Sequence, residues 1–219
     1  MNSQGKPAIH IVDDDEAMRD SLQWLLDTSR FAVSTYASAE AFLERYTPTP
    51  PACIILDIRM PGISGVELFE HLTRRAAAGA ARAAPVIFVT GHGDVPMAVE
   101  AIKRGAFDFI EKPFNEQKLL AIIERALEEN ALAAAAAGEQ HQLATRLGRL
   151  SPREREVLDM VVAGKMNKTI ADAMNISIKT VEAHRARVME KMDAHSLAEL
   201  VQRVMSARPP TASSANRPD

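Results

Sequence analysis

The sequence contains one cysteine in 219 residues, Cys53, and no long apolar run. A single cysteine excludes an internal disulfide framework, and its position in an apolar stretch indicates a buried hydrophobic side chain rather than a reactive thiol. No stretch approaches the ~20 apolar residues of a membrane-spanning helix. The first seven residues lack the apolar core of a signal peptide. We therefore expect a protein of the reducing cytoplasm with no membrane partner.

The sequence also lacks a strong net charge, but its charges are unevenly distributed. The formal net charge is −3. Residues 1–125 carry a net charge of −4, residues 126–143 add three glutamates and no basic residue, and residues 144–208 carry a net charge of +4. An acidic first part and a basic last part predict two domains with different partners.

The first part is organised around residues 53–65, which read C-I-I-L-D-I-R-M-P-G-I-S-G. An apolar run bounded by turn residues predicts a strand that is buried on both faces. Asp57 ends this strand, and the chain turns directly afterwards at a Pro/Gly loop. A carboxylate on a rigid strand end is well placed to act as a nucleophile or as a metal ligand. The alternative is an aspartate that only caps a turn.

Apolar runs and helical patterns alternate five times through the first part of the chain. Strands are predicted at residues 8–12, 31–33, 53–56, 85–89 and 106–110. Helices are predicted around residues 18–26, 39–46, 66–78 and 95–104, and from residue 115 onward. The alternation predicts right-handed βαβ crossovers and hence an α/β fold with a doubly wound, five-stranded parallel sheet.

Four of the predicted strands are followed by chemically distinctive side chains. These are Asp13 and Asp14, Asp57, Thr90, and Lys112. Because the carboxyl ends of parallel strands share one edge of a sheet, these groups can converge. Three carboxylates repel one another by roughly 1–4 kcal/mol per pair at ~4 Å, and bound Mg²⁺ removes that penalty. A lysine beside a carboxylate and a hydroxyl suits a phosphoryl group, so the set predicts a phosphoryl-accepting aspartate.

The motifs V-D-D-D, L-D-I-R-M-P, V-T-G-H-G and E-K-P-F make residues 8–125 similar to the receiver domain of bacterial response regulators, which has a flavodoxin-like fold. The resemblance implies phosphorylation of Asp57 and a Mg²⁺ pocket made of Asp13, Asp14 and Asp57. It also implies that Thr90 is the switch hydroxyl and Lys112 the phosphate partner. H-I-V-D-D and V-T-G-H-G-D-V-P-M-A-V-E-A-I-K are most similar to the FixJ-type branch.

Further roles follow from the same resemblance. Phe109 stands at the position of the family's aromatic switch, with ordinary core packing as the alternative. Receivers of this family commonly dimerise through the face formed by the helix predicted around residues 95–104 and by the fifth strand. In this sequence that face contains three apolar residues, Val95, Val99 and Ile102. His92 is predicted to be a surface loop histidine rather than a ligand.

Residues 126–146 are predicted to form a helical linker, since they contain no proline and include an alanine-rich run. Two heptads' worth of apolar residues give this linker only modest self-association potential. Residues 147–208 follow as a second domain, and residues 209–219, rich in Pro, Ser and Ala, are predicted to be a disordered tail.

The second domain begins with Ser151-Pro152-Arg153-Glu154, a capping box at the start of a helix. Two short helices joined by a tight turn in a basic segment fit an all-α helix-turn-helix domain. The strings L-S-P-R-E-R-E-V-L, N-K-T-I-A and S-I-K-T-V-E-A-H-R-A-R-V-M-E-K-M resemble the LuxR/NarL-type four-helix DNA-binding domain over residues 147–205.

This second resemblance implies base contacts near the start of the helix after Ser177 and phosphate contacts from the flanking basic residues. The predicted DNA-binding residues are Lys179, Thr180, Glu182, Ala183, His184, Arg187 and Lys191. A solvated charged face is the alternative for this helix. Residues expected in a dimer helix are Leu197, Leu200 and Val201, although core packing accounts for part of that stripe.

Together these patterns predict a transcriptional response regulator that is phosphorylated by a sensor histidine kinase, forms a homodimer and binds promoter DNA. RNA polymerase is expected as a further partner at the promoter. Two alternatives stay open. One is a small phosphotransferase that uses Asp57, which needs a general acid or base and a substrate cavity. The other is a constitutive DNA-binding dimer whose receiver is not phosphorylated.

Overall fold

The structure is a computed structural model that describes residues 6–27, 30–78, 84–91 and 94–207. The predictions for His92 and for the tail at residues 209–219 lie outside these ranges. The chain divides into two compact units, Met1–Ala135 and Ala136–Asp219. Each unit is described by itself.

The first unit contains a five-stranded parallel sheet with the spatial order β2-β1-β3-β4-β5. Its strands are β1 (Ala8–Val12), β2 (Ala32–Tyr36), β3 (Ala52–Asp57), β4 (Val86–Thr90) and β5 (Asp108–Glu111). Every neighbouring pair in the sheet is parallel. The predicted doubly wound α/β fold is therefore confirmed.

Helices cover both faces of this sheet. They are α1 (Glu16–Asp27), α2 (Ala39–Arg45), α3 (Gly65–Ala77), α4 (Val95–Lys103) and the long α5 (Glu116–Gly148). One apolar core lies between the sheet and helices α2, α3 and α4, and a second lies between the sheet and helices α1 and α5. Strand β3 contributes to both cores, Ile54 to the first and Cys53 to the second, and all six of its residues are buried. The prediction of a strand buried on both faces is confirmed.

Two predicted strands have bounds that differ from those in the structure by more than one residue. Strand β2 starts at Ala32 and continues through polar residues to Tyr36. It lies at the edge of the sheet with one face largely exposed, so its sequence has no continuous apolar run. Strand β5 begins at Asp108 rather than at residue 106. The residues before it belong to the turn after α4, where Ala106 N donates to Ala101 O.

The described part of the second unit, which ends at residue 207, contains four further helices. They are α6 (Pro152–Val162), α7 (Asn167–Met174), α8 (Ile178–Met192) and α9 (Leu197–Ala207). The predicted capping box is present at α6, because Ser151 Oγ accepts from Glu154 N while Glu154 Oε2 accepts from Ser151 N. The apolar faces of these helices form one core, which includes Val157, Leu158, Val161, Val181, Val188 and Met192.

Helix α5 runs without a break through the segment predicted as a linker. Ala126 and Leu127 are buried in the core of the first unit, and Leu143 is buried in the core of the second. Between these two buried segments of α5, residues 135–142 form a continuous stretch in which every residue is exposed. Among the described residues, no helix combines the length and the apolar character needed to cross a membrane.

Candidate functional sites

Three charged side chains meet at the carboxyl edge of the parallel sheet. Asp57 is the last residue of β3, Asp13 follows β1, and Lys112 follows β5. Lys112 Nζ donates to Asp57 Oδ1 at 2.8 Å and to Asp13 Oδ2 at 3.1 Å. The structure therefore brings together three of the five residues that were expected at this edge because each stands at the end of a strand.

The two carboxylates are buried and held by backbone donors. Asp13 is 2% exposed and Asp57 is 9% exposed. Arg59 N donates to Asp57 Oδ2 at 2.7 Å, and Asp15 N donates to Asp13 Oδ1 at 2.9 Å. These bonds fix the orientation of both carboxyl groups and leave Lys112 between them.

Burial and charge oppose each other in this cluster. Burial raises the pKa of the Asp57 carboxyl, while the hydrogen bond and positive charge of Lys112 oppose that rise. Burial by itself lowers the pKa of Lys112, but the hydrogen bonds and negative charges of Asp57 and Asp13 raise it overall. Lys112 consequently stays a cation at neutral pH and compensates the two carboxylates that face it.

The third predicted metal ligand, Asp14, does not join this cluster. Its side chain is exposed, whereas that of the preceding Asp13 is buried. Asp14 lies at a bend between β1 and α1, where its side chain turns to solvent. Within the described ranges, no group of three acidic, histidine or cysteine side chains is close enough to hold an ion. Two of the three expected carboxylates converge, and the third lies beside them in sequence only.

The two predicted switch residues lie on neighbouring strands of the same sheet. Thr90 ends β4, is fully buried, and its Oγ1 donates to Gly91 O at 2.8 Å. Phe109 on β5 is half-buried and packs against the core beneath α4. Phe88 of β4 is directly paired with Phe109 in the ladder.

Two features near Asp57 were missed by sequence reasoning. The Arg59 side chain forms an ion pair with Asp94, a buried carboxylate at the N-cap of α4. Gly65, the first residue of α3, lies so close to β3 that an added Cβ would stand 1.9 Å from Asp57 O. In the sequence, Gly65 was visible as the second glycine of the Pro/Gly loop. Its close approach to β3 could not be seen there, because it depends on tertiary packing.

Helix α8 presents most of its predicted DNA-binding residues to solvent. Lys179, Thr180, Glu182, Ala183 and Arg187 are exposed, while His184 is half-buried. Helix α8 is tied to α7 through Arg185 Nη1, which donates to Asn167 Oδ1 at 3.0 Å. The exposed residues lie on the side of α8 that is not packed against the core.

Lys191 is already engaged inside the unit. Its Nζ donates to Glu154 Oε2 at 2.6 Å and to Arg149 O at 3.2 Å. The Glu154 side chain is only 4% exposed. The hydrogen bonds from Lys191 and from Ser151 lower the pKa of Glu154 to about 2. This pairing links the start of α6 to the end of α8, so the ammonium group predicted to contact phosphate is engaged within the unit.

The predicted dimer residues divide into exposed and buried ones. On α4, Val99 is 41% exposed, and Val95 and Ile102 are half-buried on the same face. On α9, Leu197 is 47% exposed and Val201 is half-buried. Leu200 was expected at the interface, but it is 1% exposed and packs in the core of the second unit. The exposed stripe of α9 instead continues, at a spacing of four residues, to the missed Met205.

Comparison with known proteins assigns a family to both units. The family model "Response regulator receiver domain" matches residues 9–124, and "Bacterial regulatory proteins, luxR family" matches residues 148–204. The chain is 48% identical to the transcriptional regulatory protein FixJ of Rhizobium meliloti, with 90% of this chain and 95% of that protein covered. It is 42% identical to the tetrathionate response regulatory protein TtrR of Salmonella typhimurium, with 89% and 90% covered.

Solved structures agree with this assignment. The response regulator StyR is 43% identical, with a TM-score of 0.84 over 92% of this chain and 99% of that chain. Full-length FixJ from B. japonicum is 45% identical, with a TM-score of 0.54 over 94% and 98%. The chain therefore belongs to the response regulators of two-component systems, in the group of transcriptional regulators that join a receiver domain to a LuxR-family DNA-binding domain.

Proposed function

We propose that Asp57 accepts a phosphoryl group from a sensor histidine kinase and that the resulting aspartyl phosphate controls binding of α8 to promoter DNA. The observation that carries the proposal is the position of Lys112 Nζ, 2.8 Å from Asp57 Oδ1 and 3.1 Å from Asp13 Oδ2. A cation fixed beside a buried carboxylate at a strand end is the arrangement that phosphoryl transfer to that carboxylate requires.

The transfer is an in-line displacement at phosphorus. A carboxylate oxygen of Asp57 forms the new P–O bond while the P–N bond to the kinase histidine breaks, and the released imidazole takes up a proton from water. Lys112 has two tasks in this step. It keeps Asp57 available as an anion against the effect of burial, and it offers a donor to the equatorial oxygens of the transferred group.

The residues present fit Mg²⁺. The site offers only oxygen ligands, and its two buried carboxylates are compensated by a single ammonium group. Asp13 and Asp57 would hold the ion, whereas the exposed side chain of Asp14 lies outside this cluster and would have to turn towards it to add a third carboxylate. When bound, Mg²⁺ would neutralise the negative charge of the phosphoryl oxygens.

The switch follows from the charge added at Asp57. A phosphoryl group there presents new acceptor oxygens at the end of the strand next to Thr90. Reorientation of the buried Thr90 hydroxyl towards them would give Phe109 room to rotate. That rotation would reshape the face of Val95, Val99 and Ile102 on α4 and favour a receiver homodimer. If phosphorylation stabilises the active state over the inactive state by a few kcal/mol, most of the population shifts to the active state.

Receiver dimerisation raises the effective concentration of the second α8 at the neighbouring half-site. The promoter site should then be a pseudo-palindrome with half-sites about one helical turn (~10 bp) apart. The proposed DNA face of α8 consists of Lys179, Glu182, Ala183 and Arg187, with Thr180 and His184 beside them. The proposed dimer stripe of α9 consists of Leu197, Val201 and Met205. RNA polymerase is the partner expected at the promoter, and the cytoplasm is the expected location.

Labelling with a small phosphodonor tests the acceptor site. Acetyl phosphate should modify the full-length protein in the presence of Mg²⁺, and EDTA should prevent the modification. Borohydride reduction converts an aspartyl phosphate to homoserine, so peptide mapping should find homoserine at position 57 alone. Asp57→Asn should remain unmodified. Undiminished labelling in EDTA would contradict the Mg²⁺ site, and homoserine at another position would contradict the assignment of Asp57.

A further inference from the structure

A large apolar side chain at the start of α8 has no role in the proposed function described so far. Ile178 is the first residue of α8 and is 47% exposed. Helix α8 is described along its whole length, and no other large hydrophobic side chain on it is exposed to this degree. Val181, Val188 and Met192 are buried in the core. The sequence-based set of DNA-binding residues began one position later, at Lys179.

Single exposed hydrophobic residues are common on protein surfaces, so exposure alone does not indicate a function for Ile178. Its position on α8 does. Residues four apart are neighbours on a helix surface. This spacing places Ile178 on one stripe with Glu182 and Ala186, both of which are exposed. The stripe belongs to the face proposed to read DNA. In helix-turn-helix proteins, the N-terminal residues of the second helix contact the base edges.

Hydrogen bonds at the helix start occupy the neighbouring hydroxyl but leave Ile178 available. Ser177 is the N-cap of α8, and its Oγ accepts from Thr180 N at 3.1 Å. The two hydroxyl oxygens of Ser177 and Thr180 are 2.8 Å apart, so the Thr180 hydroxyl already has a partner within the protein. The Ile178 side chain has no polar atom to satisfy, and its contact with another apolar surface is favourable.

We propose that Ile178 is a specificity-determining residue that contacts the 5-methyl group of a thymine in the major groove of each half-site. The inference rests on the proposed DNA binding of α8. Among the groups that base pairs present in the major groove, the thymine methyl is the apolar one, and apolar side chains recognise it by direct contact. Loss of one buried methyl contact should weaken binding about fourfold per half-site.

The test uses DNA that the full-length protein selects itself. A duplex is enriched from a random pool in the presence of acetyl phosphate and Mg²⁺, and each thymine of the half-site is then replaced by uracil, which lacks only the methyl group. For the wild-type protein, a replacement in one half-site should weaken binding about fourfold, and the same replacement in both half-sites about sixteenfold. Ile178→Ala should bind the thymine duplex more weakly by a similar factor and should no longer distinguish thymine from uracil at that position.

Two variants serve as controls. Leu197→Ala removes an equally exposed side chain from α9 and should keep the wild-type ratio between thymine and uracil, whatever it does to overall affinity. Ile178→Val keeps most of the apolar surface and should keep part of the discrimination. The slope of log affinity against log salt should be the same for Ile178→Ala and the wild type, because no phosphate contact is lost.

The possible failures are distinguishable. If Ile178→Ala binds the selected site with the wild-type preference at every thymine, or if the site contains no thymine whose methyl matters, Ile178 does not read the base and the inference is overturned while DNA binding stands. If the protein enriches no sequence from the pool, the proposed DNA binding fails and this inference fails with it.

Discussion

At the scale of single residues, the proposed reactivity of Asp57 depends on its partners. Lys112 compensates two buried carboxylates, and the backbone N–H of Arg59 fixes the second oxygen of Asp57. Asp57, Asp13 and Lys112 were predictable because each follows directly after a strand, and the carboxyl ends of parallel strands share an edge. The separation of Asp14 was not predictable, since it depends on the direction in which each side chain of the loop leaves the backbone.

Gly65 allows α3 to pack closely against β3 because it has no side chain. An added Cβ would overlap the backbone carbonyl of Asp57, which cannot move without displacing the carboxylate. We expect Gly65→Ala to lower the free energy of unfolding by about 1–3 kcal/mol, the usual cost of overpacking. It should also slow phosphoryl transfer from acetyl phosphate more than the loss of folded protein explains.

Thermal unfolding and labelling of the same samples measure both effects. Gly138→Ala is the matched control, because nothing lies within 4 Å of an added Cβ there. Wild-type stability and labelling in Gly65→Ala would show that α3 can shift away from β3 without cost.

His10 makes the stability of the receiver domain dependent on pH. Its ring is buried among Tyr36, Phe42 and Tyr46, and burial lowers its pKa below the ordinary value of 6.5. Below about pH 6.5 the unfolded chain therefore binds a proton that the folded protein resists, so the free energy of unfolding falls as the pH falls. The stabilising effect of the neutral ring is complete above that pH.

Urea unfolding of the wild type and of His10→Phe between pH 5 and pH 7.5 (a range of about one unit or more on each side of the ordinary histidine pKa) should show this difference. The wild type should lose stability towards the acidic end, and His10→Phe should lose less. His71→Phe, at an exposed position on α3, is the control. Parallel pH profiles for the wild type and His10→Phe would rule out His10 as the source.

At the scale of helices and strands, type and order were predictable but several roles were not. The alternation of apolar runs gave all five strands, and the S-x-x-E pattern gave the start of α6. Helix α5 continues through the predicted linker because both of its ends have apolar residues to bury, Leu127 in one core and Leu143 in the other. Leu200 faces inward on α9, which periodicity alone could not distinguish from an interface position.

Lys191 shows why charge alone does not identify a DNA contact. It lies on a basic helix, yet its ammonium group satisfies the buried Glu154 and so holds the end of α8 against the start of α6. We expect Lys191→Ala to lower the free energy of unfolding of the second unit by about 1–2 kcal/mol, because the charged hydrogen bond is lost at a site where the lysine is still partly hydrated.

The salt dependence of DNA binding separates this structural role from a phosphate contact. Lys191→Ala should leave the slope of log affinity against log salt unchanged, whereas Lys179→Ala, at an exposed position, should reduce it by about 0.9 if that side chain neutralises one phosphate. A slope reduced equally by both variants would show that Lys191 leaves Glu154 to contact DNA.

At the scale of the whole molecule, the chain joins two units with different chemistry. The first carries the proposed acceptor carboxylate and an acidic charge, and the second carries a basic helix-turn-helix. The sequence predicted this division from charge asymmetry and from two sets of motifs. It could not predict which hydrophobic residues remain exposed, such as Ile178 and Met205, because exposure is decided by how each helix packs in its own core.

The central claim is that a phosphoryl group on Asp57 controls DNA binding, and the affinity of the full-length protein for its selected duplex tests it most directly. Affinity is measured with and without acetyl phosphate, at fixed salt and Mg²⁺, for the wild type and for Asp57→Asn. The account predicts that phosphodonor tightens wild-type binding at least tenfold, a shift of about 1.4 kcal/mol, and leaves Asp57→Asn unchanged. Equal affinity of the wild type in both conditions, or an equal response of Asp57→Asn, would contradict the account.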